Sequence, residues 1–429
     1  MSIKVGFDYC KNEDLYTPTI WKDRIREIHK IIVDKTGAGG DFLGWLDYPE
    51  RLPKEEIERI IKKANFFREN YEVLVVCGIG GSYLGPRAVI EAINGLYSND
   101  KMKIVYLGNT LDPNYTNEVL NFIKDKNFCI CVISKSGTTT ETSISFRILK
   151  ELAEQKYGKD KAKDAIVAVT DKEKGALRQL SDTEGYETFE LPGDIGGRFS
   201  VMTPVGLFPI ACAGIDIKEF IKGLKDGMKN YASENLDQNE AYKYALERHA
   251  LYLRGCKVEM VTAYEPRLEC FNGWIKQLYD ESEGKEGKSL LVTSCVFTTD
   301  LHSLGQFIQE GSKILFETVT YFEEPNLDVV IPYDKDNLDN LNYIAGKKLS
   351  YVNKKAYEGT LQAHSGVGNV PNITITVDKL TPRSLGELLY FHMKACAMSA
   401  YLNGLNPFNQ PGVEVYKKNM FHLLGKPGF

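Results

Sequence analysis

Apolar positions along the chain change their period several times, and each change marks an element. Between residues 47 and 70, Ile57, Ile60, Ile61 and Ala64 recur at helical spacing and Pro53 suits a first turn. The pattern then shortens to Glu72-Val-Leu-Val-Val-Cys77, a β-branched run that ends in glycines, and a helical stretch follows from Pro86. Similar runs recur at Lys103–Leu107, Phe128–Ile133, 165–169 and 186–190, with helix-like segments between them. Five apolar strands alternating with helices predict a parallel sheet covered on both faces, with ligands outside the carboxyl ends of its strands.

The second half repeats the theme less regularly. Val258–Ala263, 314–320 and 373–377 read as strands, and 267–278 and 384–402 as helices. The expected division is an N-terminal helical arm over 1–46, a first α/β domain over 47–210 and a second over 211–429 that ends in a helical segment. The boundary is placed at the close of the Pro/Gly-rich stretch 203–214. No low-complexity linker or short-period repeat is visible.

Composition narrows the function classes. The 429 residues carry 53 Lys+Arg against 58 Asp+Glu, a net charge of −5, with 43% hydrophobic content, so disorder and a disulfide-stapled mini-protein are excluded. Without a long basic run there is no footprint for nucleic acid or an anionic membrane, and any anionic ligand has to be held locally. The most membrane-like run, 205–215, is broken by Gly206, Pro209 and Gly214 and falls short of the roughly 20 residues a span needs. The first residues alternate charged and apolar positions and build no secretory signal, which predicts a cytoplasmic protein. Nine cysteines without a C-x-x-C and six scattered histidines without H-E-x-x-H predict chemistry without metal.

Six segments carry candidate chemistry. Gly78-Ile-Gly-Gly81-Ser82-Tyr-Leu-Gly-Pro86 lies between a predicted strand and a predicted helix, where backbone N–H groups, the helix N-terminus and the Ser82 hydroxyl suit a phosphate. A dinucleotide fingerprint would need glycine where Tyr83 stands, and the alternative to a ligand site is a tight turn. Ser134-Lys135-Ser136-Gly-Thr-Thr139-Thr-Glu-Thr142 also opens a helix, and its hydroxyls can surround a phosphate with Lys135 as a point charge; a Thr138–Glu141 capping box is the plainer reading. In Asp194-Ile-Gly-Gly-Arg198 the glycines let the guanidinium approach a ligand, although a structural ion pair serves equally well. By composition Glu281, Glu283, Lys285, Glu286 and Lys288 look like a solvated charged loop. His302 is a lone histidine, and in Phe408-Asn-Gln410-Pro-Gly-Val-Glu414-Val-Tyr-Lys417 the acid and lysine suit an exposed helical ion pair.

Taken together these segments resemble the phosphoglucose isomerase family, in its shorter bacterial form. The matches are GIGGSYLGP at 78–86, SKSGTTTET at 134–142, GGRFSV at 196–201, ESEGK at 281–285, TDLHS at 299–303 and FNQPGVEVYK at 408–417. The resemblance implies two SIS-type (sugar isomerase) α/β sandwiches and reversible interconversion of glucose 6-phosphate and fructose 6-phosphate without metal or organic cofactor. It implies phosphate binding by Gly81, Ser82, Ser134, Lys135, Ser136 and Thr139. It casts Glu281 as the base between C1 and C2, Arg198 as the stabiliser of the cis-enediolate, Gln410 as a holder of sugar hydroxyls, and His302 and Lys417 as the ring-opening pair. It also implies a homodimer whose active site takes the histidine from the neighbouring subunit.

The chemistry agrees with that inventory, since proton removal beside a carbonyl needs a carboxylate and the enediolate needs a fixed cation. A non-catalytic sugar-phosphate sensor needs only the phosphate loops, so the retention of Glu281, Arg198, His302 and Lys417 argues against one. An amidotransferase would carry a nucleophilic cysteine domain ahead of the sheet, and Tyr83 disfavours a nicotinamide-dependent oxidoreductase.

Overall fold

A computed structural model describes residues 3–10 and 19–429; the remaining part of the expected N-terminal arm, residues 1–2 and 11–18, lies outside the described residues. Among the described residues, ten strands form two five-stranded sheets. They are β1 (Ile3–Tyr9), β2 (Val73–Cys77), β3 (Lys103–Leu107), β4 (Phe128–Ile133), β5 (Ile166–Thr170), β6 (Glu187–Glu190), β7 (Val258–Ala263), β8 (Leu291–Val296), β9 (Leu315–Glu324) and β10 (Asn372–Lys379).

The first sheet has the order β3-β2-β4-β5-β6 and is parallel throughout. Its central strands are apolar on both faces because both faces are covered. Leu74 and Val76 enter one core cluster while Val73, Val75 and Cys77 enter another, the period of two that a pleated strand imposes. The second sheet has the order β1-β10-β9-β7-β8 and is parallel except at one edge, where β1 pairs antiparallel with β10. Both SIS-type units are thus α/β, each with a mainly parallel sheet flanked by helices.

Two expectations need correction. The arm over 1–46 is not purely helical, since β1 within it completes the second sheet and seats Ile3 in the core; the helix Thr19–Val33 follows it. A boundary at 210/211 passes through the buried helix Pro204–Cys212, which packs on the helices Lys54–Asn70 and Gly81–Asn94 of the first unit. The chain leaves that unit only at the turn that follows the helix.

The helices Ile217–Asn230, Glu240–Leu253 and Pro382–Leu402 pack together, and the last is almost wholly buried. The helix Glu269–Glu283, which follows β7, lies against Gly81–Asn94 of the first unit. That contact brings the carboxylate-rich end of one unit to the glycine turn of the other. Among the described residues no helix is long and apolar enough to cross a membrane.

Candidate active site

The site forms at the carboxyl end of β2, where the chain crosses to β3 on one side and β4 on the other. A cavity of about 440 Å³ opens there. Its wall includes the Gly80–Gly81 turn, Ser136, Thr138, Thr139, Gly197 and Arg198 from the first unit, and Gln277, Glu281, Gln410 and Lys417 from the second half of the chain. Gly80 turns the chain into the helix Gly81–Asn94 with φ +58°, a left-handed conformation that glycine adopts at no steric cost. At Gly81 a Cβ would lie 2.0 Å from the carbonyl oxygen of Gly197. Gly80 permits the turn, and Gly81 is what allows it to touch the arginine loop.

The hydroxyl-rich turn divides its work. Ser134 is buried, and its Oγ accepts the Gly137 N–H at 3.0 Å, so it shapes the loop. Ser136 Oγ accepts the Thr138 N–H at 3.1 Å and lies 2.9 Å from Thr138 Oγ1. The expected capping box does not form: Thr139 is the residue before the helix Thr140–Tyr157 and makes no side-chain cap bond. Thr138, Thr139 and the start of this helix line the cavity, an arrangement in which hydroxyls and backbone N–H groups can donate to an anion.

Opposite them stands Arg198, 4% exposed, on the short helix Gly197–Met202. Its Nε donates to Ser282 Oγ at 2.8 Å, Nη2 to the Pro407 carbonyl at 2.5 Å, and Nη1 to Gln410 Oε1 at 3.3 Å and Glu281 Oε2 at 3.4 Å. The Arg198 carbonyl in turn accepts the Trp274 indole N–H at 3.2 Å. Burial lowers the guanidinium from its usual pKa and Glu281 opposes that shift. The two long Nη1 contacts leave this nitrogen the one most available to a developing oxyanion in the cavity. Glu281 Oε1 accepts from Gln277 Nε2 at 3.1 Å, one helical turn earlier.

Behind the carboxylate lies a buried charge cluster. Arg248 donates to Glu283 at 2.8 and 3.1 Å, to Glu259 at 2.6 Å and to Ser399 Oγ at 2.7 Å, and the three charged side chains are at most 1% exposed. Glu259 also accepts the hydroxyls of Tyr244 and Thr318. Glu283 is thus committed to Arg248 and is not among the residues that line the cavity. The solvated-loop reading holds only for Glu286 and Lys288, which pair at 2.8 Å in solvent.

Comparison with known proteins agrees with this geometry. The phosphoglucose isomerase family profile matches residues 58–426. The chain belongs to the phosphoglucose isomerase family. It is 53% identical to a glucose-6-phosphate isomerase from Staphylococcus haemolyticus, over 95% of this chain and 92% of that protein. It is 52% identical to one from Staphylococcus aureus, over 94% and 92%. A hypothetical protein from Thermus thermophilus superposes with a TM-score of 0.90 at 27% identity, covering 98% of this chain and 99% of that one. A glucose-6-phosphate isomerase from Chlamydia trachomatis does so with a TM-score of 0.84 at 22% identity, covering 99% and 88%, which speaks for the fold alone.

Within this member of the phosphoglucose isomerase family, Gly81, Ser136, Thr139, Arg198, Glu281, Gln410 and Lys417 share one cavity. Four other predicted site residues, Ser82, Ser134, Lys135 and His302, do not line it. Ser82 sits in the first turn of the helix Gly81–Asn94, Ser134 is turned into its own loop, and the Lys135 ammonium bonds the Gly193 carbonyl at 2.9 Å. His302 is exposed on the short helix Thr299–His302 beyond β8. The Glu414–Lys417 ion pair exists, at 3.0 Å, and Lys417 still lines the cavity. Sequence reasoning passed over Gln277, whose Oε1 is buried without a partner; its spacing of four from Glu281 on a helix was the available signal.

Proposed function

We propose that this cavity carries out the reversible isomerisation of glucose 6-phosphate and fructose 6-phosphate through a cis-enediolate. The observation that supports it best is the convergence of the Glu281 carboxylate and the buried Arg198 guanidinium opposite a turn rich in hydroxyl donors. The phosphate is held by Ser136, Thr138 and Thr139 with backbone N–H groups at the starts of the helices Gly81–Asn94 and Thr140–Tyr157. Ser134 shapes the second of these turns, and Lys135 adds positive charge at its outer side. In this reading the site discriminates by neutral donors and backbone dipoles.

From the open-chain aldose, Glu281 takes the proton on C2 while the carbonyl on C1 becomes an enediolate oxygen beside Arg198 Nη1. Returning that proton to C1, as the C2 hydroxyl gives up its proton and the C1 oxyanion takes one up, leaves the ketone on C2, so one carboxylate serves both proton transfers at carbon. Gln410 holds sugar hydroxyls from the far side. Lys417 belongs with ring opening at the cavity mouth, where a proton moves from the anomeric hydroxyl and another is delivered to the ring oxygen.

The second ring-opening group is His302, and in this reading it acts in the site of a second copy of the chain. Its exposure away from the cavity of its own subunit supports that assignment. So does the stretch that follows β9, where Leu327, Tyr333, Leu338 and Tyr343 are large apolar side chains between 73% and 89% exposed. A surface of that kind suits burial in a symmetric dimer. Nine cysteines held as free thiols suit a reducing compartment, the cytoplasm.

The test is to supply fructose 6-phosphate to the wild type and to Glu281→Gln and follow glucose 6-phosphate. Loss of about 10²–10⁴-fold in kcat is expected for the variant, with KM little changed. Near-full activity in Glu281→Gln removes the base assignment, and sugar binding without turnover by the wild type favours a sensor.

A further inference from the structure

Lys285 reads from the sequence as part of a solvated turn, yet its side chain is half-buried and fully engaged. The ammonium donates to the Asn406 carbonyl, to the Asn409 carbonyl at 2.9 Å and to Asn409 Oδ1 at 2.9 Å. Three N–H donors meet three acceptors, all on one loop, which is the full capacity of an ammonium group. Arg198 holds the same loop at Pro407 and Gln410. Lys285 itself is not among the residues that line the cavity. It stands four residues beyond Glu281 and two beyond Glu283, the residue that Arg248 anchors.

We propose that Lys285 is a positioning residue of the isomerisation site, whose ammonium straps the 406–410 loop to the turn after Glu281 and so sets Gln410 and Arg198 against the base. The inference rests on the roles given above to Glu281, Arg198 and Gln410. It carries a pH signature. A neutral amine has two N–H donors for three acceptors, so the strap weakens on deprotonation. Burial and then the Arg198 guanidinium bring this ammonium down to about 8, against the opposing pull of Cys396, Glu283 and Glu286. Because the charged form predominates below that value, the strap is intact at neutral pH and is lost as pH rises through it.

The experiment compares wild type, Lys285→Met, Lys285→Arg, Asn409→Ala and Gln410→Ala for conversion of fructose 6-phosphate from about pH 6.5 to about pH 9.5, with thermal melts of each. Lys285→Met is expected to lose roughly 10- to 100-fold in kcat with a smaller change in KM, the scale of a misplacement near 1 Å. The wild type is expected to show an alkaline fall in kcat near pH 8, which Lys285→Met should lose. Lys285→Arg should recover part of the rate, and Asn409→Ala, which removes one acceptor, should fall between. A folded Lys285→Met within about twofold of wild type, with the alkaline limb unchanged, overturns the proposal. So does a lower melting temperature with unchanged kcat. If Lys285→Met does not fold, unchanged kcat in Asn409→Ala is the overturning result. Full activity in Gln410→Ala removes the site reading itself, whereas an impaired Gln410→Ala beside a normal Lys285→Met removes only the strap.

Discussion

Replacing Arg248 by methionine tests whether the charge cluster behind Glu281 supports the site. The cluster holds one cation against two carboxylates, none more than 1% exposed. In Arg248→Met, Glu259 keeps its bonds from Tyr244 and Thr318, but Glu283 loses both guanidinium bonds and Ser399 Oγ loses its donor. Breaking a buried pair by removing one partner costs about 3–5 kcal/mol, chiefly the penalty of the charge left behind. That amount should appear in urea unfolding followed by the fluorescence of buried Trp274 and Trp45. Adding Glu283→Gln neutralises one of the two stranded charges and should return about 1–2 kcal/mol, because an amide is cheaper to bury than a carboxylate.

The same variant has a definite pH dependence. An unpaired buried carboxylate takes up a proton in the folded state, so between about pH 5 and about pH 8 the folded chain of Arg248→Met binds more protons than the unfolded chain. Its stability relative to wild type must then fall as pH rises, and the double variant, with only Glu259 left uncompensated, should show a shallower trend. A cost under about 1 kcal/mol, or a double variant no more stable than the single, refutes the reasoning. Activity should follow, since Ser282 and Glu281 share the turn that Glu283 anchors.

Three further outcomes follow from the geometry. Gly81→Ala places a methyl group where the Gly197 carbonyl stands, so it should separate the first turn from the arginine loop and reduce kcat/KM for fructose 6-phosphate by about 10²-fold; unchanged kinetics would show that the contact is not needed. Mixing refolded subunits of Glu281→Gln and His302→Ala, each inactive alone, should restore about a quarter of wild-type activity if subunits pair at random and share sites, while no recovery contradicts the shared-site reading. Burial raises the Asp280 carboxyl to about 6, and its Oδ1 accepts the Val292 N–H at 2.8 Å. With the folded value above the unfolded one, its contribution to stability is present at low pH and lost as pH rises through about 6. Asp280→Asn, which keeps the acceptor, should flatten the melting profile over that range, and parallel profiles would contradict this.

Short-range pattern makes most of the first sheet legible. The residues 72–77, 103–107 and 128–133 read as strands because both faces of β2, β3 and β4 alternate between two apolar environments. Edges are harder. β8 carries exposed Leu291 beside polar Thr293 and Ser294, and β1 lies in a stretch of mixed charge, so neither shows the apolar run of a central strand. Pairing at the edge of the second sheet, a long-range event, makes them strands.

The sequence by itself determined the two α/β units, the strand-to-helix turns that carry glycine and hydroxyl groups, and the family, because these depend on residues close together in the chain. Only the tertiary structure decided what each charged residue does. Ser134 and Ser136 share a motif, yet one is turned into its loop and the other lines the cavity. Glu283 and Lys285 share a charged turn with Glu286 and Lys288, yet the first pair is held by Arg248, Asn406 and Asn409 while the second stays in water. A side chain's environment is set by partners that packing brings up, here 84 and 212 residues from Arg198 in the chain, and no local period records them. Burial then converts those contacts into fixed charge, because a cation removed from water must be matched by acceptors.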